Sequence, residues 1–90
     1  MEVFFKKTFI KDFKNLPQNI QEKAREICLF IFPKIANSDE LKNISIKKIA
    51  GFNGYYRIRI GNYRIGFKKE NGKIIFMRAL HKKDIYRFFP

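Results

Sequence analysis

The sequence predicts an α+β domain: a short N-terminal strand, a helical hairpin, then an antiparallel β-meander, with the helices packed on one face of the sheet. Three observations carry that expectation. Ile20, Ala24, Ile27, Cys28, Ile31 and Ile35 recur at helical spacing. Gly54 to Gly66 reads GYYRIRIGNYRIG, which alternates with strand period on both sides of a Gly61-Asn62 link. Asn71-Gly72 is a second turn signal, and an apolar run from Ile74 to Leu80 follows it.

In chain order, Val3 to Phe5 is short and apolar and fits a first strand. Thr8 is placed to cap a short helix from Phe9 to Leu16, in which Phe9, Phe13 and Leu16 share one face. Pro17 fits the first turn of the second helix, where its missing N–H costs nothing, and Pro33 ends or kinks that helix. Asn37-Ser38-Asp39-Glu40 is a polar break. Ile44 to Ile49 reads as a short strand with a phase slip at Lys47-Lys48. The hairpin then places Tyr56, Ile58, Ile60, Tyr63, Ile65 and Phe67 on one face, and Tyr55, Arg57, Arg59, Arg64 and Lys68 on the other. Ile74 to Leu80 is a strand apolar on both faces, a pattern that Arg78 interrupts. The tail from His81 to Pro90 fits one helical turn or an extended end.

Ninety residues form a single domain, 1–90, near the lower size limit for an adequate core without disulfides or metal. Cys28 is alone, so no disulfide framework or Cys cluster for zinc is expected, and its apolar surroundings predict an inert buried thiol. The apolar run Ile27 to Phe32 is too short to span a bilayer, and Met1 to Lys7 lacks a signal-peptide pattern. A soluble, cytoplasmic protein is the expectation. The net charge of +12 is unevenly spread: residues 1–40 hold seven Lys or Arg and six Asp or Glu, residues 41–90 thirteen and two. The second half repels itself, which points to a polyanionic partner; no long basic amphipathic helix there favours a membrane.

The inventory excludes several chemistries. Without a His pair, a Cys-x-x-Cys motif or an acidic cluster in the second half, no metal or cofactor site is expected. Gly51-Phe52-Asn53-Gly54 lacks the spacing and the Lys-Ser/Thr ending of a phosphate-cradling loop. What remains is Arg57, Arg59 and Arg64 on one hairpin face, with His81, Lys82 and Tyr86 near the end of the next strand. Metal-free RNA cleavage needs a base for the 2′-OH, an acid for the departing 5′-oxygen, and cations for the doubly charged phosphorane. Arginine suits the last role because its fork matches two phosphate oxygens. Tyr55 is the tyrosine free to stack on a base. Alternation alone leaves a second reading open, in which the arginine face is a solvated surface and His81 and Tyr86 are structural.

At these residues the chain resembles the RelE/ParE superfamily of toxins from type II toxin-antitoxin pairs, on its RelE-like side. Gly54-Tyr55-Tyr56-Arg57-Ile58-Arg59-Ile60-Gly61-Asn62-Tyr63-Arg64-Ile65, then His81-Lys82-Lys83-Asp84-Ile85-Tyr86, is similar to the family pattern G-x-x-R-I-R-x-G-D-Y-R-I … H-R-x-D-x-Y. Residues 1–50 match in layout only. The resemblance implies a RelE-like fold and an endoribonuclease (mRNA interferase) that cleaves mRNA at the ribosome without metal, through a 2′,3′-cyclic phosphate. It also implies an acidic antitoxin that silences the toxin in a hetero-oligomeric complex. Arg57 and Arg59 fall at substrate-contacting positions, Arg64 at the phosphate-stabilising arginine, Tyr86 at the C-terminal tyrosine that acts in many members, and His81 at a histidine that is catalytic in some members and absent in others. Lys82 stands where Arg is usual and Asn62 where Asp is usual; the first change keeps the charge and loses the bidentate fork. ParE-like members share the fold and poison DNA gyrase, so a gyrase poison is the alternative, with a catalytically inactive basic binding partner as a third.

Overall fold

Among the described residues, five strands form one mixed sheet in the order β1-β5-β4-β3-β2. The computed structural model describes residues 1–34 and 44–90; Ile35 and the Asn37-Ser38-Asp39-Glu40 break lie outside the described residues. In chain order the elements are β1 (Glu2–Phe5), α1 (Lys7–Lys14), α2 (Gln18–Arg25), β2 (Ile46–Lys48), β3 (Tyr55–Ile60), β4 (Tyr63–Glu70), β5 (Lys73–His81) and α3 (Lys82–Phe88). Strands β2 to β5 are the expected antiparallel meander, and β1 returns to pair parallel with β5.

The apolar stripe of α1 and α2 covers one sheet face. Phe9, Ala24, Ile27, Cys28 and Phe32 pack on Ile58, Ile65, Phe67, Ile74 and Phe76 in one core. Phe32 stands edge-on to Phe67 and Phe76, with centroids 5.3 and 5.2 Å away. Each such fully buried side chain contributes about 1.5–3 kcal/mol of transfer free energy. Beyond Arg25 the helix widens into a π-helical turn, Glu26–Ile31, in which Phe32 N–H donates to Ile27 O, and a 3₁₀ turn, Phe32–Lys34, contains Pro33. The expected stop at Pro33 is therefore preceded by a change of helical pitch.

Two turns follow their sequence signals. Asn71 (φ 50°) and Gly72 (φ 76°) both adopt the left-handed region that a tight hairpin requires. In the Gly61-Asn62 link only Gly61 does so, at φ 56°.

Thr8 does not cap a helix. The helix begins at Lys7 after Lys6, with no side-chain cap, and Thr8 Oγ1 donates to Met77 O at 2.7 Å. The reason is an open strand edge. Strand β1 pairs only with Lys73 to Phe76, so the rest of β5 would present unpaired backbone groups. Thr8 satisfies one of them, and Asp12 Oδ2 accepts from Ala79 N–H at 3.0 Å. The same carboxylate takes Arg78 Nε at 2.7 Å and Nη2 at 3.1 Å, so the arginine that interrupts the apolar strand has its counter-ion on α1. Beside it, Gly66 pairs with Arg78 while Phe67 pairs with Phe76, leaving Met77 as a β-bulge.

Candidate functional site

Strand pairing assembles the site on the face opposite the core. Lys47 of β2 lies directly across from Arg57 of β3, and Arg59 of β3 across from Arg64 of β4. Directly opposed residues point to the same side, so both pairs set like charges against each other. Together with Ser45 and Tyr86 they line a hollow of about 100 Å³. Among the described residues no carboxylate lines it, and the ion pairs (Lys23–Glu26, Lys68–Glu70, Asp12–Arg78) involve none of its cations.

Tyr86 arrives from α3, which the sequence left open between a helical turn and an extended end. His81 Nδ1 accepts from Lys83 N–H at 3.1 Å and caps the helix start. One turn on, Arg57 Nη1 donates to Tyr86 Oη, with the guanidinium carbon 4.9 Å from the centre of the phenol ring. Tyr86 is 66% exposed, so its hydroxyl is open to a ligand. Arg64 Nη1 donates to Gly61 O and Tyr63 O, each at 2.9 Å, which holds this guanidinium at the hairpin tip.

Of the residues singled out from sequence, Arg57, Arg59, Arg64 and Tyr86 come together around the hollow; His81, Lys82 and Tyr55 do not line it. His81 pairs directly with Tyr63, whose ring packs against the core, and the two rings meet edge-on at 5.2 Å. The imidazole is thus on the far side of the sheet from the arginines. Lys82 is exposed, and its backbone N–H donates to Asn62 O at 2.8 Å. Tyr55 shares the arginine face but lies beside the hollow, tilted against Phe89 with Lys68 Nζ 5.2 Å from its ring centre. Sequence reasoning missed Ser45 and Lys47. Their only signal was the alternation of Ile44 and Ile46, which turns Ser45 and Lys47 to the opposite face.

The fold and the hollow define a small basic α+β domain that gathers four cations and a phenol on one sheet face. The family described as ParE toxin of type II toxin-antitoxin system, parDE, matches residues 3–86. Toxin RelE3 of Methanocaldococcus jannaschii is 46% identical over 92 residues, spanning 100% of both chains. A chain of a RelB-RelE antitoxin-toxin complex from Methanococcus jannaschii superposes with a TM-score of 0.81 at 42% identity, covering 97% of this chain and 99% of that one. The isolated E. coli RelE toxin shares the fold at 11% identity, with a TM-score of 0.67 over 98% of each chain. The chain belongs to the RelE/ParE superfamily of type II toxin-antitoxin toxins, on its RelE side. None of its described helices is long and apolar enough to cross a membrane.

Proposed function

We propose that this toxin is a metal-independent mRNA endoribonuclease that acts at the ribosome and is neutralised by an acidic antitoxin. The observation that carries the reading is the hollow in which Lys47, Arg57, Arg59 and Arg64 meet Tyr86, with no carboxylate among the described residues that line it. A divalent cation finds no anionic or imidazole ligand there among the described residues. A phosphodiester finds four cations and a phenol. In this reading Arg57 and Arg59 bind the phosphates, and Arg64 stabilises the phosphorane formed as the 2′-oxygen attacks. Tyr86 Oη is one proton carrier. The second is drawn from Lys47, which lines the hollow, and Lys82 at the start of the same helix. His81 is left out of proton transfer because its ring lies across the sheet. Attack by the 2′-oxygen on phosphorus breaks the bond to the 5′-oxygen, giving a 2′,3′-cyclic phosphate and a free 5′-hydroxyl. Tyr55, beside the hollow, supports stacking of a neighbouring base.

The test is mRNA integrity in a translating extract, with the ends of any fragments identified. Expected are cyclic phosphate ends and protection by Arg64→Ala with Tyr86→Phe. Intact mRNA with gyrase-linked DNA breaks would establish the gyrase poison instead; intact mRNA without growth arrest would leave an inert basic partner. The solved relative in complex with RelB and the +11 charge of residues 41–90 support an acidic antitoxin for this chain. Its binding should weaken steeply with salt, and indifference to salt would refute an electrostatic clamp.

A further inference from the structure

We propose that Gly66 and Phe89 are positioning residues: the Phe89 ring seats on Gly66 as a latch that fixes α3 and so holds Tyr86 over Arg57. The inference rests on the role given to Tyr86 above. Phe89 is 4% exposed and Ile85 1%, yet neither belongs to the main core. They form a separate buried patch. Gly66 lies directly across from Arg57 on the arginine face, and a Cβ there would sit 2.5 to 2.7 Å from three Phe89 ring atoms. Gly66 is not among the glycines with positive φ, so glycine is required for space rather than for backbone conformation. The ring lies on bare backbone.

Phe89 N–H donates to Ile85 O at 2.8 Å, so the latch closes the last turn of the helix that carries Tyr86. The Phe89 ring also meets Tyr55, with centroids 5.7 Å apart. Among the described residues, the hydrogen bond and ring contact of Tyr86 itself are the exposed ones with Arg57. Such contacts are too weak to hold a helix on a sheet. The buried ring three residues later supplies that hold, and the position of the phenol depends on it.

The experiment is a set of variants assayed for RNA cleavage and for amide hydrogen exchange. Phe89→Ala should lower kcat as much as Tyr86→Phe does, about 100-fold. KM should stay within about twofold, because the phosphate-binding cations are carried by strands whose pairing with one another does not depend on the latch. In the double variant the second substitution should cost nothing further, and Phe89→Leu should recover most of the loss. Gly66→Ala removes no group and should reproduce the kcat loss by lifting the ring. In both Phe89→Ala and Gly66→Ala the α3 amides should exchange faster while those of β3 to β5 do not. If the wild-type chain leaves RNA intact, the nuclease reading falls and exchange alone judges the latch. Losses that multiply with Tyr86→Phe, α3 exchange unchanged in both variants, or loosening of the whole sheet would overturn it.

Discussion

Replacing Arg59 by Gln should make the protein more stable while making it a worse ligand for RNA. Arg59 faces Arg64 directly across β3 and β4, and among the described residues its guanidinium has no hydrogen-bond or ion-pair partner. Directly opposed residues have Cβ atoms about 4.5–5.5 Å apart, so their charges can approach to about 5–6 Å. At that distance the repulsion is about 0.75 kcal/mol in water, or about 0.5 kcal/mol after screening at 0.1 M salt. Lys47 and Arg57 line the same hollow and raise the total toward about 1 kcal/mol. For a domain of this size the gain corresponds to a rise in Tm of about 2–8 °C. Thermal melts at 0.1 M and 1 M salt check the cause, since the gain should shrink to about a quarter when the Debye length falls to about 3 Å. Single-stranded RNA titrations should show a log K against log salt slope smaller by about 0.7. Arg64 is a poorer probe because its two bonds to the hairpin carbonyls would be lost as well. A lower Tm for Arg59→Gln, or a gain indifferent to salt, would refute the claim that this face is held under repulsion that a polyanion relieves.

Three further outcomes follow from the geometry. His81→Ala removes the cap on Lys83 N–H, which should cost α3 about 0.5–2 kcal/mol, read by amide exchange, while cleavage falls by no more than a few fold. A loss of cleavage of about 100-fold or more would instead give His81 a proton-transfer role. Asp12→Ala leaves Arg78 without its counter-ion and Ala79 N–H without its acceptor; with the carboxylate side chain only 10% exposed, urea unfolding should report a loss of about 2–4 kcal/mol. Burial pushes the Cys28 thiol up, so at pH 8 a thiol reagent should react at least about 100-fold faster with unfolded than with native protein, and equal rates would place that thiol at the surface.

The hairpin was legible because two local rules agree there: period-two alternation assigns the faces, and Gly61 permits the turn. The α1–α2 stripe was legible for the same reason, a single periodicity sustained over several turns. Thr8 was misread because its position before an apolar run imitates a helix cap, while the group it satisfies lies 69 residues away on β5. Lys47 and Ser45 could not be assigned because β2 is too short to declare which strand it pairs with, and only that pairing sets Lys47 opposite Arg57.

His81 shows how one residue of register decides membership of a site. With uninterrupted alternation, Ile74, Phe76, Arg78 and Leu80 would face the core and His81 would face the arginines, which is what proximity in sequence suggests. The bulge at Met77 reverses the parity. Ala79 pairs with Ile65 and His81 with Tyr63 on the core side, while Arg78 and Leu80 fall opposite Gly66 and Arg64 on the other. The signal was present in the sequence as the arginine that spoils the apolar strand: a charge where alternation demands a core residue marks a strand that has slipped by one. The same slip lets Asp12 reach both Arg78 and Ala79 N–H, and it frees His81 to start α3 instead of sitting among the cations. The helix so launched carries Tyr86 over Arg57, so the bulge both removes the imidazole from the hollow and delivers the phenol to it.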